Sequence, residues 1–432
     1  MPESERDDAR SAGLPTPATS FDRCPEAERF QRDLYLYWRV ARSAGGLSLS
    51  TRGALTKPAL RRVRSLLAAV EGATPSGDPS EQEDERTYFL RRLLERLSLL
   101  KREPETSRLV AGPGADMERY LALMLTERLR LGARVWVAGG WWPESPDAKA
   151  EPPRLMVPAS PRVALARKRL LDALAEITPG SEPPYPTTPA PGPSATSRSR
   201  RQSLSRPLRR MAETTTAGDE VTWRMALSGP LRWLGFVSPV DAEPNGARYQ
   251  VTNAVLALRG EHGAPLADPS GSVTIQSDFS IVAFPPLHPR TLFTLDQVAD
   301  ALSLERTARY TLTRASFARA RHAGFDAAAV MARLEALTSS QLAGNVAVTL
   351  ADWGRASERA ALHEGVCLLE VGDARVLDAL LADRTAAQWI ARRLTPTAAL
   401  VVAEHLGRVR GWLLRHGEFP AMTEDTSGAN QA

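Results

Sequence analysis

The chain has 432 residues and a formal net charge of +5, and 43% of its residues are hydrophobic. This length allows two to four globular domains. No apolar run approaches the ~20 residues that a membrane-spanning helix needs, and residues 1–20 lack the basic and apolar regions of a signal peptide. Cys24 and Cys367 are too few for a disulfide framework. We therefore expect a cytoplasmic protein without membrane contact.

The first 177 residues are predicted to be mainly helical. Residues 1–20 are interpreted as a disordered leader, because they are polar and without periodicity. In residues 21–177, apolar stripes at helical spacing predict helices over 25–42, from 56–58 onward, and over 86–100, 116–131 and 161–177. A short strand is predicted at residues 47–50. Since a helix, a short strand and a basic helix are components of a winged-helix unit, this region has possible winged-helix units.

Residues 178–218 are predicted to form a Pro/Ser/Arg-rich linker. The segment is dense in proline, serine and threonine and too poor in aliphatic residues to build a core. We expect it to be flexible and the two halves of the chain to fold separately.

The second half is predicted to contain three regions. Residues 219–268 form a winged-helix-like unit, with a strand at 248–252 and a short helix at 254–258. Residues 269–420 form a small mixed α/β domain with C-terminal helices, and residues 421–432 form a disordered tail. Helices are predicted over 295–302, 314–323, 326–337, 345–356, 376–381, 385–393 and 398–415, and strands over 273–276, 280–284, 308–312 and 366–371. Residues 400–402 could pair as a strand instead. The predicted fold class is therefore α+β, predominantly α-helical.

An ordered series of short motifs runs through the second half. It includes Ser-Val-Thr-Ile-Gln-Ser-Asp-Phe-Ser-Ile-Val-Ala-Phe-Pro at 272–285, Ala-Arg-Tyr-Thr-Leu-Thr-Arg-Ala-Ser at 308–316, Val-Cys-Leu-Leu-Glu-Val at 366–371 and Leu-Leu-Arg-His-Gly-Glu-Phe-Pro at 413–420. This order resembles the N-terminal domain of XPB-type helicases, which also occurs in bacterial helicase-associated proteins. The resemblance covers about residues 223–420. It implies a small domain that contacts accessory partners and lies near the DNA entering a helicase motor.

Motor motifs are absent from the sequence. It contains no Gly-x-x-x-x-Gly-Lys-Ser/Thr loop to bind nucleotide phosphates, and no Asp-Glu-x-His box follows an apolar strand. The six scattered histidines show no metal-ligand spacing. We therefore predict no enzymatic activity, no catalytic residues, no cofactor and no metal. Asp278 is interpreted as a turn residue rather than a catalytic one.

Basic segments are the candidate DNA-binding sites, since phosphate contacts supply affinity that does not depend on sequence. The candidates are Lys57, Arg61, Arg62 and Arg64 on a predicted helix; Arg198, Arg200, Arg201, Arg206, Arg209 and Arg210 in the linker; and Arg314, Arg319 and Arg321 around a later helix. The alternative for each set is an ordinary solvated surface, and for the set around the later helix this alternative is favoured. Trp141 and Trp142 are a candidate partner-binding patch, because a Gly-Gly-Trp-Trp-Pro loop is not expected to bury both indoles.

Three functions remain open at this point. The first is a non-enzymatic, DNA-binding or helicase-associated accessory protein that binds DNA weakly and non-specifically. The second is a protein-interaction adaptor that docks a separate helicase or nuclease without contacting DNA. The third, an enzyme of unknown class, rests only on the unassigned residues 112–177.

Overall fold

The computed structural model describes residues 23–73, 77, 80, 84–142, 158–183, 217–243, 246–259, 266, 268, 271–338, 340–357 and 366–419. The chain divides into two compact units, Met1–Trp353 and Gly354–Ala432, which we call the N-terminal and C-terminal units. The described residues are mainly helical, with small antiparallel sheets, and this confirms the predicted fold class. No helix within these ranges is long and apolar enough to cross a membrane.

The N-terminal unit begins with a group of three helices and a sheet that we call the first helix–hairpin unit. Its elements are α1 (Pro25–Ser43), β1 (Leu47–Ser48), α2 (Lys57–Glu71), α3 (Glu85–Arg96), β2 (Leu100–Glu103) and β3 (Arg108–Ala111). The strand order is β1-β3-β2. Helix α2 ends where Gly72 adopts a left-handed conformation (φ 70°) that favours glycine. The Asp84 carboxylate accepts a 3.0 Å hydrogen bond from the Thr87 amide and so starts α3.

Three helices follow: α4 (Gly114–Ala122), α5 (Leu125–Ala138) and α6 (Pro161–Ala175). The prediction of one helix over residues 116–131 is wrong, because Leu123 and Met124 are extended and separate α4 from α5. The Met124 amide donates to the Glu127 carboxylate at 2.8 Å and begins α5 anew. Apolar periodicity continues across this break, so periodicity alone does not reveal it.

Helix α6 opens a second helix–hairpin unit, described over residues 161–183, 217–243 and 246–251. Its later elements are α7 (Ala217–Ser228), the single turn α8 (Pro230–Trp233), β4 (Val237–Glu243) and β5 (Gly246–Val251). The Gly180 amide donates to Val251 O, and the Val251 amide donates to Ser181 O, both at 2.8 Å. Residues 180–181 thus extend the hairpin beyond β5, and the order 180–181, β5, β4 matches the order β1-β3-β2 of the first unit. A 3-10 helix (Asn253–Leu258) follows.

The last part of the N-terminal unit, residues 271–353, contains a four-stranded antiparallel sheet of order β6-β7-β9-β8. Its elements are β6 (Val273–Ile275), β7 (Ser280–Ala283), α9 (Pro289–Val298), β8 (Asp300–Leu304), β9 (Ala308–Thr311), α10 (Arg314–His322), α11 (Ala327–Thr338) and α12 (Gly344–Ser357), which continues past Trp353. The helix predicted over residues 295–302 is misplaced. It begins earlier, where the His288 ring accepts a hydrogen bond from the Arg290 amide (3.2 Å), and it ends before Ala299.

The C-terminal unit contains a three-stranded antiparallel sheet of order β10-β12-β11. Its elements are β10 (Val366–Glu370), α13 (Ala374–Ala382), β11 (Ile390–Thr395), β12 (Ala398–Val402) and α14 (Leu406–Arg415). The helix predicted over residues 385–393 is wrong beyond a short 3-10 turn (Ala386–Trp389). Residues 398–402 form the strand that was the alternative to a helix, because Ala399 and Val401 alternate into the core of this unit.

One hydrophobic core joins the parts of the N-terminal unit, and it includes Phe89, Trp223 and Leu350. Polar contacts add to it, since the Asp296 carboxylate on α9 accepts hydrogen bonds from Tyr35 and from Arg39 Nε (2.6 Å) on α1. Residues on both sides of the predicted linker at 178–218 share this core. Residues 1–22, 184–216 and 420–432, which include the predicted leader and tail and most of the predicted linker, lie outside the described residues.

Candidate nucleic-acid interface

Helix α3, which precedes the hairpin of the first helix–hairpin unit, is buried from Thr87 to Glu95. Its charged side chains pair internally. The Glu95 carboxylate accepts hydrogen bonds from Arg92 Nη1 (2.6 Å), Arg102 Nε (3.1 Å) and Arg91 Nε (3.4 Å). Burial alone would raise the pKa of Glu95, but the charges of Arg91, Arg92 and Arg102 lower it below its ordinary value. Arg91 and Arg92 are therefore core residues and are not available to a ligand.

The loop after α5 covers α3. Trp141 and Trp142 are only 2% and 4% exposed, and their rings lie 5.2 Å and 5.8 Å from the ring of Phe89 on α3. The Trp142 ring also meets Trp233 edge-on at 5.1 Å. The expectation that this loop cannot bury both indoles is wrong, because aromatic rings from α3 and α8 enclose them. Trp141 and Trp142 are thus not the exposed partner-binding patch that the sequence predicted.

A buried arginine fixes the same loop. Arg167 on α6 donates hydrogen bonds to the carbonyl oxygens of Trp136 (2.8 Å) and Gly139 (2.6 Å), at the C-terminal end of α5. A cation is stabilised at this end of a helix by the partial negative charge of the last carbonyl groups. The guanidinium also lies over the Trp136 ring, 5.2 Å from its centroid. Helix α6 therefore holds the loop that closes over α3.

Helix α7 occupies the position in the second unit that α3 has in the first, but one side of it is exposed. Trp223, Ala226 and Leu227 face the core, and Trp223 Nε1 donates to Ala166 O on α6 at 3.0 Å. Arg224 and Ser228 are exposed. They are four residues apart and therefore share one stripe of the helix surface. The second unit thus presents to solvent a helix side that the first unit encloses.

A further exposed arginine lies beyond the end of α7. It is Arg232, on the separate turn α8. Burial raises the pKa of Tyr249 on β5, and the positive charge of Arg232 opposes that rise, so the guanidinium lies close to the hairpin. Within the described part of the chain, no carboxylate pairs with Arg224 or Arg232. Arg224, Ser228 and Arg232 form what we call the α7 stripe.

The predicted basic residues of α2 lie partly on the surface. Lys57, Arg61 and Arg62 are exposed. Arg64 is not, since its Nε lies 2.9 Å from the carboxylate of Asp84 and its Nη1 donates to Gly77 O at 3.2 Å. Arg64 therefore holds the start of α3 in place and is not available to a phosphate.

The other predicted basic sets differ in their surroundings. Arg314 is exposed and Arg321 is half-buried. Arg319 lies 2.8 Å from the carboxylate of Asp300, so it joins α10 to the sheet. The set Arg198, Arg200, Arg201, Arg206, Arg209 and Arg210 lies outside the described residues. Asp278 accepts hydrogen bonds from the Ser280 amide (2.9 Å) and hydroxyl (2.6 Å), as a turn residue would.

Sequence reasoning missed the α7 stripe, although the signal was present. The apolar residues Trp223, Leu227 and Leu231 repeat every four positions. Residues one position further along, which are Arg224, Ser228 and Arg232, must then repeat on a neighbouring stripe. The acidic residues at the start of the helix hide this pattern when charge is summed over a window.

Comparison with known families gives a match in the second half of the chain. The profile of the helicase conserved C-terminal domain matches residues 273–395. The match begins at β6 and ends with β11, so it covers the four-stranded sheet and part of the C-terminal unit. A search of curated proteins finds no match to the chain. The match confirms the predicted relation to helicase-associated proteins at this coarser level.

Proposed function

We propose that this protein is a non-enzymatic accessory protein that binds DNA and acts with a separate helicase or nuclease in the cytoplasm. The match of residues 273–395 to a helicase domain supports the helicase-related part. The order of motifs in the same region supports its finer assignment as a domain similar to the N-terminal domain of XPB-type helicases. The observation that carries the DNA-binding part is the connectivity of the two helix–hairpin units.

That connectivity is the one expected of winged-helix units. In the first unit, a helix, a strand, two helices and a hairpin form a sheet of order β1-β3-β2. The second unit repeats the strand order with residues 180–181, β5 and β4. In DNA-binding proteins of the related helix-turn-helix type, the second helix of the motif enters the major groove. Helix α7 is the element in that position with an exposed basic side.

The absence of a motor from this sequence is part of the proposal. A phosphate-binding loop joins a strand to a helix and carries a lysine at fixed spacing, and the sequence contains no such motif. Strand pairs within the described ranges are all antiparallel. The parallel sheets of nucleotide-binding α/β folds are built differently.

A direct binding measurement tests the proposal. Fluorescence anisotropy with labelled duplex and single-stranded DNA should show binding that weakens steeply as salt rises, because each phosphate contact releases a counterion. Sequence should matter little. If neither DNA changes anisotropy at low salt, the DNA-binding proposal is wrong.

One observation favours the adaptor as a second candidate. The segment from α7 to β5 contains four carboxylates (Asp219, Glu220, Asp241 and Glu243) against three arginines (Arg224, Arg232 and Arg248). Such a balance suits a protein partner with mixed charge as well as it suits phosphates. Co-purification with a helicase or nuclease, together with no binding to DNA, is the result expected of an adaptor.

A further inference from the structure

We infer that the second helix–hairpin unit, and not the first, is the surface that contacts duplex DNA, through the α7 stripe of Arg224, Ser228 and Arg232. This inference rests on the proposed DNA-binding function and names its site. It follows from the contrast between two units that share one strand order. The helix that would enter a DNA groove is covered by protein in the first unit and has an exposed side in the second.

In the first unit, α3 is the helix that would enter the groove, and other parts of the protein cover it. The side of α3 that would face a groove carries Tyr88, whose hydroxyl donates to Trp141 O at 3.2 Å, and Arg91, whose Nη2 donates to Gly53 O at 2.6 Å. Duplex DNA cannot reach these residues unless the loop around Trp141 moves away. Removing that loop would expose aromatic rings that now pack together, and burial of such rings dominates core energetics.

The second unit keeps the complementary features. Arg224, Ser228 and Arg232 are all exposed, and the Ser228 hydroxyl donates to the carbonyl oxygens of Arg224 (3.1 Å) and Met225 (3.4 Å) on its own helix. No carboxylate within the described residues competes with phosphates for these two arginines. Arginine forms bidentate hydrogen bonds with phosphate, and the exposed Ser228 hydroxyl can donate to a phosphate oxygen if it turns away from these carbonyl groups. These are the groups expected where a helix lies against a nucleic-acid backbone.

The two arginines of the stripe lie on different elements. Helix α7 ends at Ser228, and Gly229 leaves the helical conformation (φ −117°, ψ −104°) before α8 begins. Arg224 on α7 and Arg232 on α8 can therefore meet separate phosphates of the same backbone. Arg232, on the turn that leads into the hairpin, would mark where the hairpin meets the backbone.

The test compares matched double variants of the full chain in the anisotropy assay with labelled duplex. Arg224→Gln with Arg232→Gln should lower the slope of log affinity against log salt concentration by about 2, since each lost phosphate contact removes about 0.9. Arg61→Gln with Arg62→Gln on α2 removes the same charge from the first unit and should change the slope by less than half as much. Ser228→Glu, which places a carboxylate in the stripe, should weaken binding on the order of tenfold or more.

The possible outcomes separate this inference from the function on which it rests. Circular dichroism should show unchanged folding of all variants, because the substituted residues are exposed. If the unsubstituted protein binds duplex DNA but the α7 and α2 variants lose the same slope, or the α2 variant loses more, this inference is wrong and the function stands. If the unsubstituted protein binds single-stranded DNA but not duplex DNA, this inference alone is wrong, and if it binds neither DNA, both are wrong.

Discussion

Charged side chains inside the N-terminal unit act mainly to orient its helices. Glu95 meets three arginines, and Asp296 meets Arg39 and the hydroxyl of Tyr35. A buried pair adds little net stability when it is complete, but loss of one partner leaves an uncompensated charge that costs about 3–5 kcal/mol. These residues therefore specify how the helices pack, and substitution of either carboxylate should be severe.

The lowered pKa of Glu95 predicts a pH dependence of stability. Because the folded-state pKa lies below the ordinary value of about 4.3, the stabilisation is present above that value and is lost as pH falls through the folded-state pKa. Denaturant unfolding between about pH 5 and pH 2 should show a smaller loss of stability with acid for Glu95→Gln than for the unsubstituted protein. Equal acid slopes for the two proteins would contradict this explanation.

Phe279 predicts an unusual order of variant stabilities. It adopts a left-handed conformation (φ 70°), which costs a non-glycine residue about 1–2 kcal/mol, while its ring stacks on Trp353 at 6.1 Å. Phe279→Ala loses the ring and keeps the strain, whereas Phe279→Gly loses both. We expect Phe279→Gly to be more stable than Phe279→Ala by about 1 kcal/mol, measured by denaturant unfolding. The reverse order would show that the backbone is not strained there.

At the residue scale, the sequence did not predict which distant residues a side chain contacts. Lys57, Arg61 and Arg62 are exposed as expected, but Arg64 pairs with Asp84 from a different helix. Trp141 and Trp142 are buried because rings from α3 and α8 meet them. These contacts join residues far apart in the chain, and no local pattern encodes them.

At the scale of elements, boundaries were the least predictable feature. Periodicity predicted α1, α6, α10, α11 and α12 within a few residues. It failed where a helix passes directly into another element: at the α4–α5 break, at the α9–β8 junction and in residues 390–402. Short apolar segments suit a strand or a helix equally, and pairing with a distant strand decides between them.

The loop that covers α3 supplies an element-scale prediction. A Cβ atom added at Gly139 would lie 1.8 Å from Trp141 Nε1, so Gly139→Ala must displace the Trp141 ring from Phe89. We expect a loss of about 1–3 kcal/mol in the free energy of unfolding. Gly324→Ala is the control for a Cβ atom that has room, since an added Cβ atom there meets nothing within 4 Å. It does not control for differences in backbone conformation. A Gly139→Ala protein with unchanged stability would show that the loop repacks without loss.

At the scale of the whole molecule, the composition of residues 178–218 predicts that trypsin cuts first near the arginines at 198–210. Because residues before and after that segment share one core, the two products should stay together in gel filtration under native conditions and separate only in denaturant. Products that separate without denaturant would mean that the halves fold independently. Survival of this region while flanking segments are digested would contradict the predicted linker.

The absence of motor motifs predicts that the protein does not hydrolyse ATP. Purified protein with ATP, magnesium and DNA should release no phosphate above the background of a mock preparation. The control is the same preparation after an additional chromatographic step, which removes traces of contaminating ATPases. DNA-stimulated turnover that follows the protein peak through both steps would contradict the non-enzymatic proposal.

The tryptophans are distributed so that each compact unit carries its own optical reporter. Only Trp389 and Trp412 of the nine tryptophans belong to the C-terminal unit. Replacing these two by phenylalanine leaves emission that arises from the N-terminal unit alone, where Trp141, Trp142 and Trp233 all pack against Phe89. Such a protein would allow the melting of one unit to be followed by fluorescence while circular dichroism records both. The order in which the units unfold could then be read from a single sample.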